Sequence, residues 1–367
     1  MKTTYRLQTI FLITAGLLHI AAAPVEIAKQ DNANLQRPQW SEDGTQLAYE
    51  ANYHKTKRIE TFVGRFPTGP YTNVSPRARV NSGLTTGFQR SETTSQVVHE
   101  LCWSPSPLNQ YMISASNALG DYDLYFKTSP YAGNHTTADG GCSWSRNGQY
   151  VAFTSARTGG GDLYIIDTLA LDTAPKRITD TPSAAEVYPT WSSDSKSLVF
   201  VTHTHDGDHL WWLPSIQHQP IRLTRGSASQ TRPRFSPTGT HVAYYEQKTS
   251  VGGLDLCVLE IGAPADPKCI ATDVVANTTG PVWSPSGSHI LYTRNDDIRF
   301  DPIEAVAIRR PHQQTTLPLS TVGHGDLSVH GSAKDAWVVA YIAQGTNTDT
   351  QRGFKKLYVA TVPIPSP

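Results

Sequence analysis

The sequence carries no surplus charge of either sign, since 31 Lys and Arg balance 31 Asp and Glu. That balance excludes the basic footprint of a nucleic-acid-binding surface and a polybasic membrane patch. Charge is also sparse, at 17% of residues, below the usual quarter. The motifs G-x-S-x-G, H-E-x-x-H and the phosphate-binding loop are missing, which removes the local signatures of a serine hydrolase, a zinc peptidase and a nucleotide-binding enzyme. No C-x-x-C pair occurs, which weakens a structural zinc site. The four cysteines, Cys102, Cys142, Cys257 and Cys269, fit an oxidising compartment without forming a disulfide-dense framework. Beyond residue 23 no run is long and apolar enough to span a bilayer.

Gly (27) and Pro (25) are plentiful, as in a turn-rich β protein. Residues 1–23 read as an export signal: Lys2 and Arg6 come first, Ile10 to Ile20 is mostly apolar, and Ala21-Ala22-Ala23 offers small residues for cleavage. Pro24 follows that run directly, so the cleavage position is left open.

The remainder repeats itself. QWSEDGTQLAYE (39–50), CWSPSPLNQYMISAS (102–116), SWSRNGQYVAFTS (143–155), TWSSDSKSLVFVT (190–202), RFSPTGTHVAYYE (234–246) and VWSPSGSHILYTR (282–294) are copies of one unit. Their anchors Trp40, Trp103, Trp144, Trp191, Phe235 and Trp283 are spaced by 63, 41, 47, 44 and 48 residues. A period of about 40–50 residues in a β-rich chain indicates propeller blades. In each copy a strand ends at the aromatic anchor and a tight turn begins at Ser. Gly44, Gly148, Gly239 or Gly287 closes that turn, because the backbone there needs positive φ. A second strand follows. Asp-Leu-Tyr elements (Asp123, Asp162, Asp255) open a third, and Lys176–Thr179 and Ile221–Thr224 mark a fourth.

A seventh, degenerate unit has strands at Asp326–Val329, Trp337–Ile342 and Leu357–Ala360, and His330 stands 47 residues past Trp283. It lacks a fourth strand of its own, and Val25–Ala28 is placed to supply it, closing the ring and leaving no free sheet edge. The expected fold is therefore all-β: a β-propeller of four-stranded antiparallel blades, seven in number with six as the alternative, over residues 24–367.

The pattern W-S-x-D/N-G…I/V-A-F/Y…D-L-Y…R-L/I-T resembles the TolB-like β-propeller family, whose repeats are distant relatives of WD repeats. The resemblance covers nearly all of residues 24–367. It implies a periplasmic or secreted propeller, often a protein-binding platform. TolB carries an extra α/β domain before its propeller, for which this sequence has no stretch.

Candidate site residues come from two places. The innermost strands carry Arg37, Glu100, Gly141, Tyr188, Arg232 and Gly280 three residues before their anchors. Strict alternation puts that column, and the one immediately before the anchors, on the central channel. Arg37, Glu100, Tyr188 and Arg232 are the candidate ligand-binding residues of a hydrogen-bonding mouth. The second place is VTHTHDGDHLWW (201–212). His203, His205 and His209 are weak candidates for a divalent metal. Aligned on the preceding copy, His203 to Asp208 fall on the polar turn between the second and third strands, and a solvated hairpin is the preferred reading. Three further features complete the set. The unit between Trp40 and Trp103 is about fifteen residues longer than the others, with the excess inside Arg65–Gln96. Asn295–Asp301 is acidic but lacks the Gly and Glu spacing of a calcium loop. Cys257 and Cys269 fall on adjacent strands and form a candidate disulfide, whereas Cys102 and Cys142 fall at opposite parity, which argues against a bond.

The functional expectation is an exported, non-enzymatic binding scaffold in the periplasm or cell envelope. It would be a monomer without a cofactor, partnered by an envelope protein and not by nucleic acid. The alternative is a secreted propeller hydrolase or lyase acting on carbohydrate or peptide with a metal.

Overall fold

The computed structural model describes residues 24–29, 32–65, 98–105, 112–116, 121–126, 129–131, 136–181, 184–248, 252–262, 267–296, 301–319, 321–322, 324–333, 336–346 and 353–365. The export-signal segment 1–23 and residues 66–97 of the long insertion lie outside the described residues. So do positions 297–300 of the acidic run. Among the described residues there is no helix, and every strand pairing is antiparallel. No helix there is long and apolar enough to cross a membrane.

The strands form a ring of small sheets, most of them traversed in chain order. The Trp40 unit has three strands: Asn34–Trp40, Gln46–Tyr53 and Arg58–Arg65. The Trp103 unit has four: Val98–Trp103, Met112–Ser116, Asp123–Phe126 and Ser129–Pro130. The Trp144 unit runs Asp139–Trp144, Tyr150–Ser155, Asp162–Asp167 and Lys176–Arg177. The Trp191 unit runs Ala185–Trp191, Leu198–Thr204, Gly207–Leu213 and Ile221–Arg222. The Phe235 and Trp283 copies share one eight-stranded sheet. It starts with Ser229–Phe235, His241–Gln247, Leu254–Glu260 and Lys268–Val275, and continues with Val282–Trp283, His289–Arg294, Ile303–Ala307 and Arg310–Thr316. The two halves join because Val274 and Val275 pair with Arg294 and Thr293, beside an inner strand only two residues long. In the last sheet Leu327–Ala333, Ala336–Ala343 and Lys356–Pro363 are completed by Val25–Ala28 from the other end of the chain. Val25 there faces Val359.

The second strands bury side chains on both faces because neighbouring units cover both. Ala336–Ala343 is buried at all eight positions. Leu198 and Phe200 pack back onto the Trp144 unit with Ala152 and Leu163. Their alternates Val199 and Val201 pack forward onto the Phe235 unit with Val242 and Tyr244. This is period-two alternation serving two neighbours at once. The ring closes in the same way, with Leu35, Trp40 and Tyr49 against Val338, Ala340 and Val359. A single unit cannot bury either face alone, so stability is a sum over neighbours.

The repeated turn has one construction. Ser41, Ser145, Ser192, Ser236 and Ser284 each follow the anchor and stand buried. Each Oγ accepts the backbone N–H five residues on, at 2.9, 2.8, 3.0, 3.1 and 3.0 Å. In the first three the same hydroxyl donates to the side chain two residues on: Asp43, Asn147 or Asp194. The fourth turn residue is left-handed: Gly44, Gly148, Gly239 and Gly287 at φ 66–75°, with Ser195 at 63° in the Trp191 copy.

The anchor indoles tie each unit to the one before. Nε1 of Trp103, Trp144, Trp191 and Trp283 donates to the carbonyl of Gln39, Cys102, Ser143 and Arg234 at 3.2, 3.2, 3.1 and 3.0 Å. Each acceptor immediately precedes the previous anchor. Trp191→Phe removes one such bond and is expected to cost about 1 kcal/mol. Trp191→Ala, which also empties a buried site, is expected to cost about 3–5 kcal/mol. Urea unfolding of the two variants separates ring from N–H, and equal losses would contradict the dominance of ring burial.

Candidate central-channel site

The inner strands are not regular. In the strand ending at Trp40, Gln36 faces Glu50 and Gln39 faces Ala48, so three steps on one strand match two on the other. The same bulge recurs before Trp103, Trp144, Trp191 and Phe235. The residue three before the anchor takes the left-handed conformation: Arg37 at φ 50°, Gly141 at 62°, Tyr188 at 54°, Arg232 at 52° and Gly280 at 97°. Glycine adopts this at no steric cost, as in a bulge whose first residue is left-handed. Arg37, Tyr188 and Arg232 carry strain of about 1–2 kcal/mol each instead. Pro38, Pro189, Pro233 and Pro281 come next. Proline has no N–H for the ladder and is tolerated in a sheet at a bulge.

The bulge suspends strict alternation. Residues one, two and three before the anchors all reach the same central cavity, which encloses about 100 Å³. Arg37, Tyr188 and Arg232 line it together with Arg234, Thr278 and Thr279. Glu100 lies on Val98–Trp103, and its side chain is outside the described residues. The bulge also corrects the parity expectation for the cysteines. Cys102 and Cys142 are joined in a disulfide that links the inner strands of two neighbouring units at the cavity wall. Cys257 and Cys269 are also bonded, as a directly opposed cross-strand pair.

Each channel residue is held by identifiable partners. The Arg37 guanidinium lies 3.4 Å from Glu50 Oε1, a carboxylate with no exposed side-chain surface. Asp326 accepts the Arg37 backbone N–H at 2.9 Å, the Thr278 N–H at 2.7 Å and the Thr278 hydroxyl at 2.7 Å. One carboxylate thus fastens the first, sixth-anchor and last units around the channel. The Arg232 guanidinium sits 5.6 Å from the centre of the Tyr188 ring, a cation–π contact. Arg234 Nε donates to the Thr279 carbonyl at 2.5 Å. Burial, and then the like charge of Arg232, push the Arg234 pKa down to about 10. Gly280 is the residue that lets Arg234 pass, since a Cβ there would meet Arg234 Cγ at 2.9 Å and the Arg232 carbonyl oxygen at 3.0 Å. Arg234, Thr278 and Asp326 were not among the expected site residues. The signal for Arg234 was present: it is the one charged residue in a column otherwise small or polar.

The histidines do not gather. The ungapped alignment holds, since Thr202 faces His209 as Ser155 faces Asp162. The strands nevertheless continue further than the alignment implies, to Thr204 and from Gly207, and only His205-Asp206 turns the corner. His203 Nδ1 meets Asp208 Oδ1 at 2.6 Å. His205 is 89% exposed and pairs with Asp206. His209 is buried, and its Nδ1 meets Gln230 Oε1 of the next unit at 3.2 Å. Among the described residues, the one group of three metal-ligand types brought together is Glu246, Cys257 and Cys269, and its two sulfurs are spent on each other.

The sequence profile of the TolB beta propeller domain matches residues 122–320, more than half of the chain. A search of curated proteins finds no match. Among solved structures, hydrazine synthase from Kuenenia stuttgartiensis is similar with a TM-score of 0.57 and 11% identity, over 92% of this chain and 97% of that one. Prolyl oligopeptidase B from Galerina marginata has a TM-score of 0.57 and 11% identity over 92% of this chain and 51% of its own, so the chain spans about half of that peptidase. An oligogalacturonate lyase in complex with manganese has a TM-score of 0.51 and 11% identity, over 71% of this chain and 88% of the lyase. At these identities the likeness is one of fold.

The strain is directly measurable. Tyr188 is 36% exposed, and a glycine and a valine variant both give up its ring. Tyr188→Gly is expected to stay within about 1 kcal/mol of the parent, because relief of the left-handed strain offsets the added backbone entropy. Tyr188→Val, β-branched and unsuited to positive φ, is expected to lose at least about 1 kcal/mol more than the glycine variant in chemical denaturation. A valine variant as stable as the glycine variant would contradict the left-handed assignment.

Proposed function

The chain belongs to the TolB β-propeller domain family, and from that premise we propose that it is an exported, non-enzymatic binding scaffold of the periplasm or cell envelope. In this reading residues 1–23 are the export signal and residues 24–367 a single monomeric propeller. The ring has seven blades, the eight-stranded sheet counting as two. A partner protein docks a projecting group into the channel mouth at Arg37, Glu100, Tyr188 and Arg232.

One observation carries the reading. Three residues unsuited to positive φ adopt it at equivalent positions, and all three side chains line one cavity. Two other copies use glycine at that position, so the fold does not require the strain. Local strain retained at a convergent site supports a binding role. The cavity, about 100 Å³ among the described residues, is below the usual 300–1,000 Å³ of an enclosed small-molecule site. A group projecting from a larger partner fits that size better than an enclosed substrate does.

The test is an affinity capture of the mature protein from the envelope fraction of its source cells after mild crosslinking, beside the Arg37→Ala/Arg232→Ala double variant. The expected result is one partner, recovered by the parent and reduced at least tenfold with the folded double variant. Metal-dependent cleavage of oligogalacturonate or of peptide by the purified parent, with no partner recovered, would overturn the scaffold reading in favour of an enzyme.

A further inference from the structure

The cavity has an unbalanced charge. Three arginines line it, and no carboxylate does so among the described residues. The two nearby carboxylates are already engaged. Glu50 faces Arg37 and also accepts from the Gln36 side chain at 2.9 Å. Asp326 Oδ2 accepts from the Arg37 N–H and the Thr278 hydroxyl, and Oδ1 from the Thr278 N–H. Among the described residues Arg232 and Arg234 hydrogen-bond to carbonyls and pair with no carboxylate. Arg232 Nη1 reaches the Asn277 carbonyl at 3.3 Å, and its Nε is buried without a partner. Arg234 commits Nε alone, to Thr279. A guanidinium offers five N–H donors. Among the described residues each of the pair makes one hydrogen bond, both line the cavity, and the like charge of Arg232 helps to lower the Arg234 pKa. Leaving buried cations without a counter-charge is costly, and nothing else in the described lining offsets it.

We propose that the channel is an oxyanion-binding site in which the guanidiniums of Arg232 and Arg234 hold one carboxylate or phosphate group, with Arg37 and the Thr279 hydroxyl at its margin. Two forks meeting one planar or tetrahedral oxyanion give charge-assisted, directional hydrogen bonds. The oxyanion supplies the missing negative charge. Tyr188 holds the Arg232 fork by stacking, and Gly280 keeps the Arg234 stem in place. The cavity volume suits a single such group at the end of a chain or ring. The proposal rests on the channel-mouth reading above and names the chemistry that a partner must present there.

The test uses the full mature protein and free anions, so it needs no partner. Sodium phosphate and sodium acetate are titrated calorimetrically against chloride at matched ionic strength. The expected result is saturable binding at one site per chain, with phosphate and acetate competing. The constant should weaken at least tenfold in Arg232→Gln and in Arg234→Gln, and less in Arg37→Gln, whose guanidinium already faces Glu50. Tighter binding of acetate assigns the natural group as a carboxylate, and tighter binding of phosphate assigns a phosphoryl group. Should a glutamine variant not fold, the parent decides alone: no saturable, competitive binding overturns the proposal. Equal binding by the parent and both folded variants overturns it too. A negative titration beside a successful partner capture removes the oxyanion chemistry and leaves the scaffold reading intact. The converse result removes the protein partner and leaves the anion site.

Discussion

The interaction on which the rest of the structure depends is the indole bridge between neighbouring units. Trp103, Trp144, Trp191 and Trp283 each fill the gap to a neighbour, and the N–H of each satisfies a carbonyl of the preceding inner strand. That single contact does two things. It buries a large ring between sheets that have no other way to cover their faces, and it fixes the inner strands at a constant offset around the axis. Phe235 keeps the ring without the N–H. His330, standing where the last anchor is expected, keeps an edge-on contact with Trp40 at 4.6 Å between ring centres. The ring of sheets thus tolerates loss of the hydrogen bond at particular joints, provided that the aromatic filler stays.

Because the carbonyl acceptors lie immediately before the anchors, the inner strand is pinned at that end. The residues just upstream take up the geometry that remains. They do so by a bulge, repeated before five anchors. The bulge turns three successive residues toward the channel, where a regular strand would turn only every second one. Channel chemistry therefore follows from the joint between units. Glycine at the left-handed position gives a quiet wall, as at Gly141. Arginine or tyrosine there gives a strained, directed side chain. The Cys102–Cys142 disulfide locks two adjacent inner strands at the same level. Asp326 does the equivalent where the ends of the chain meet.

Much of this was legible in the amino-acid sequence. The serine after the anchor, the acidic or amide residue two further on and the closing glycine are one hydrogen-bonded turn, and their spacing alone marked the units. The pairing of Val25–Ala28 with the last sheet followed from the same spacing. The bulge was not visible to an alternation argument, since period-two reasoning assumes an unbroken ladder. Its traces were nevertheless there, in the prolines two before four anchors and in Gly141 and Gly280 beside Arg37, Tyr188 and Arg232. Missing the bulge misjudged the Cys102–Cys142 pairing, whereas Arg234 stood in a column that alternation already turned to the channel and was simply not singled out. The histidine cluster was read on the correct hairpin. On that hairpin His203 and His205 find separate partners. His209, on the returning strand, turns inward to the neighbouring unit.

The central claim is that bulged inner strands line one channel with Arg37, which faces Glu50, and with Arg232 and Arg234, which pair with no carboxylate among the described residues. The most direct measurement is a crystal structure of the mature protein grown in phosphate. The account predicts positive φ at Arg37, Tyr188 and Arg232, with an oxyanion within hydrogen-bond distance of both Arg232 and Arg234. Extended backbone at those three residues, or arginine side chains turned out of a channel with no anion in it, would contradict it.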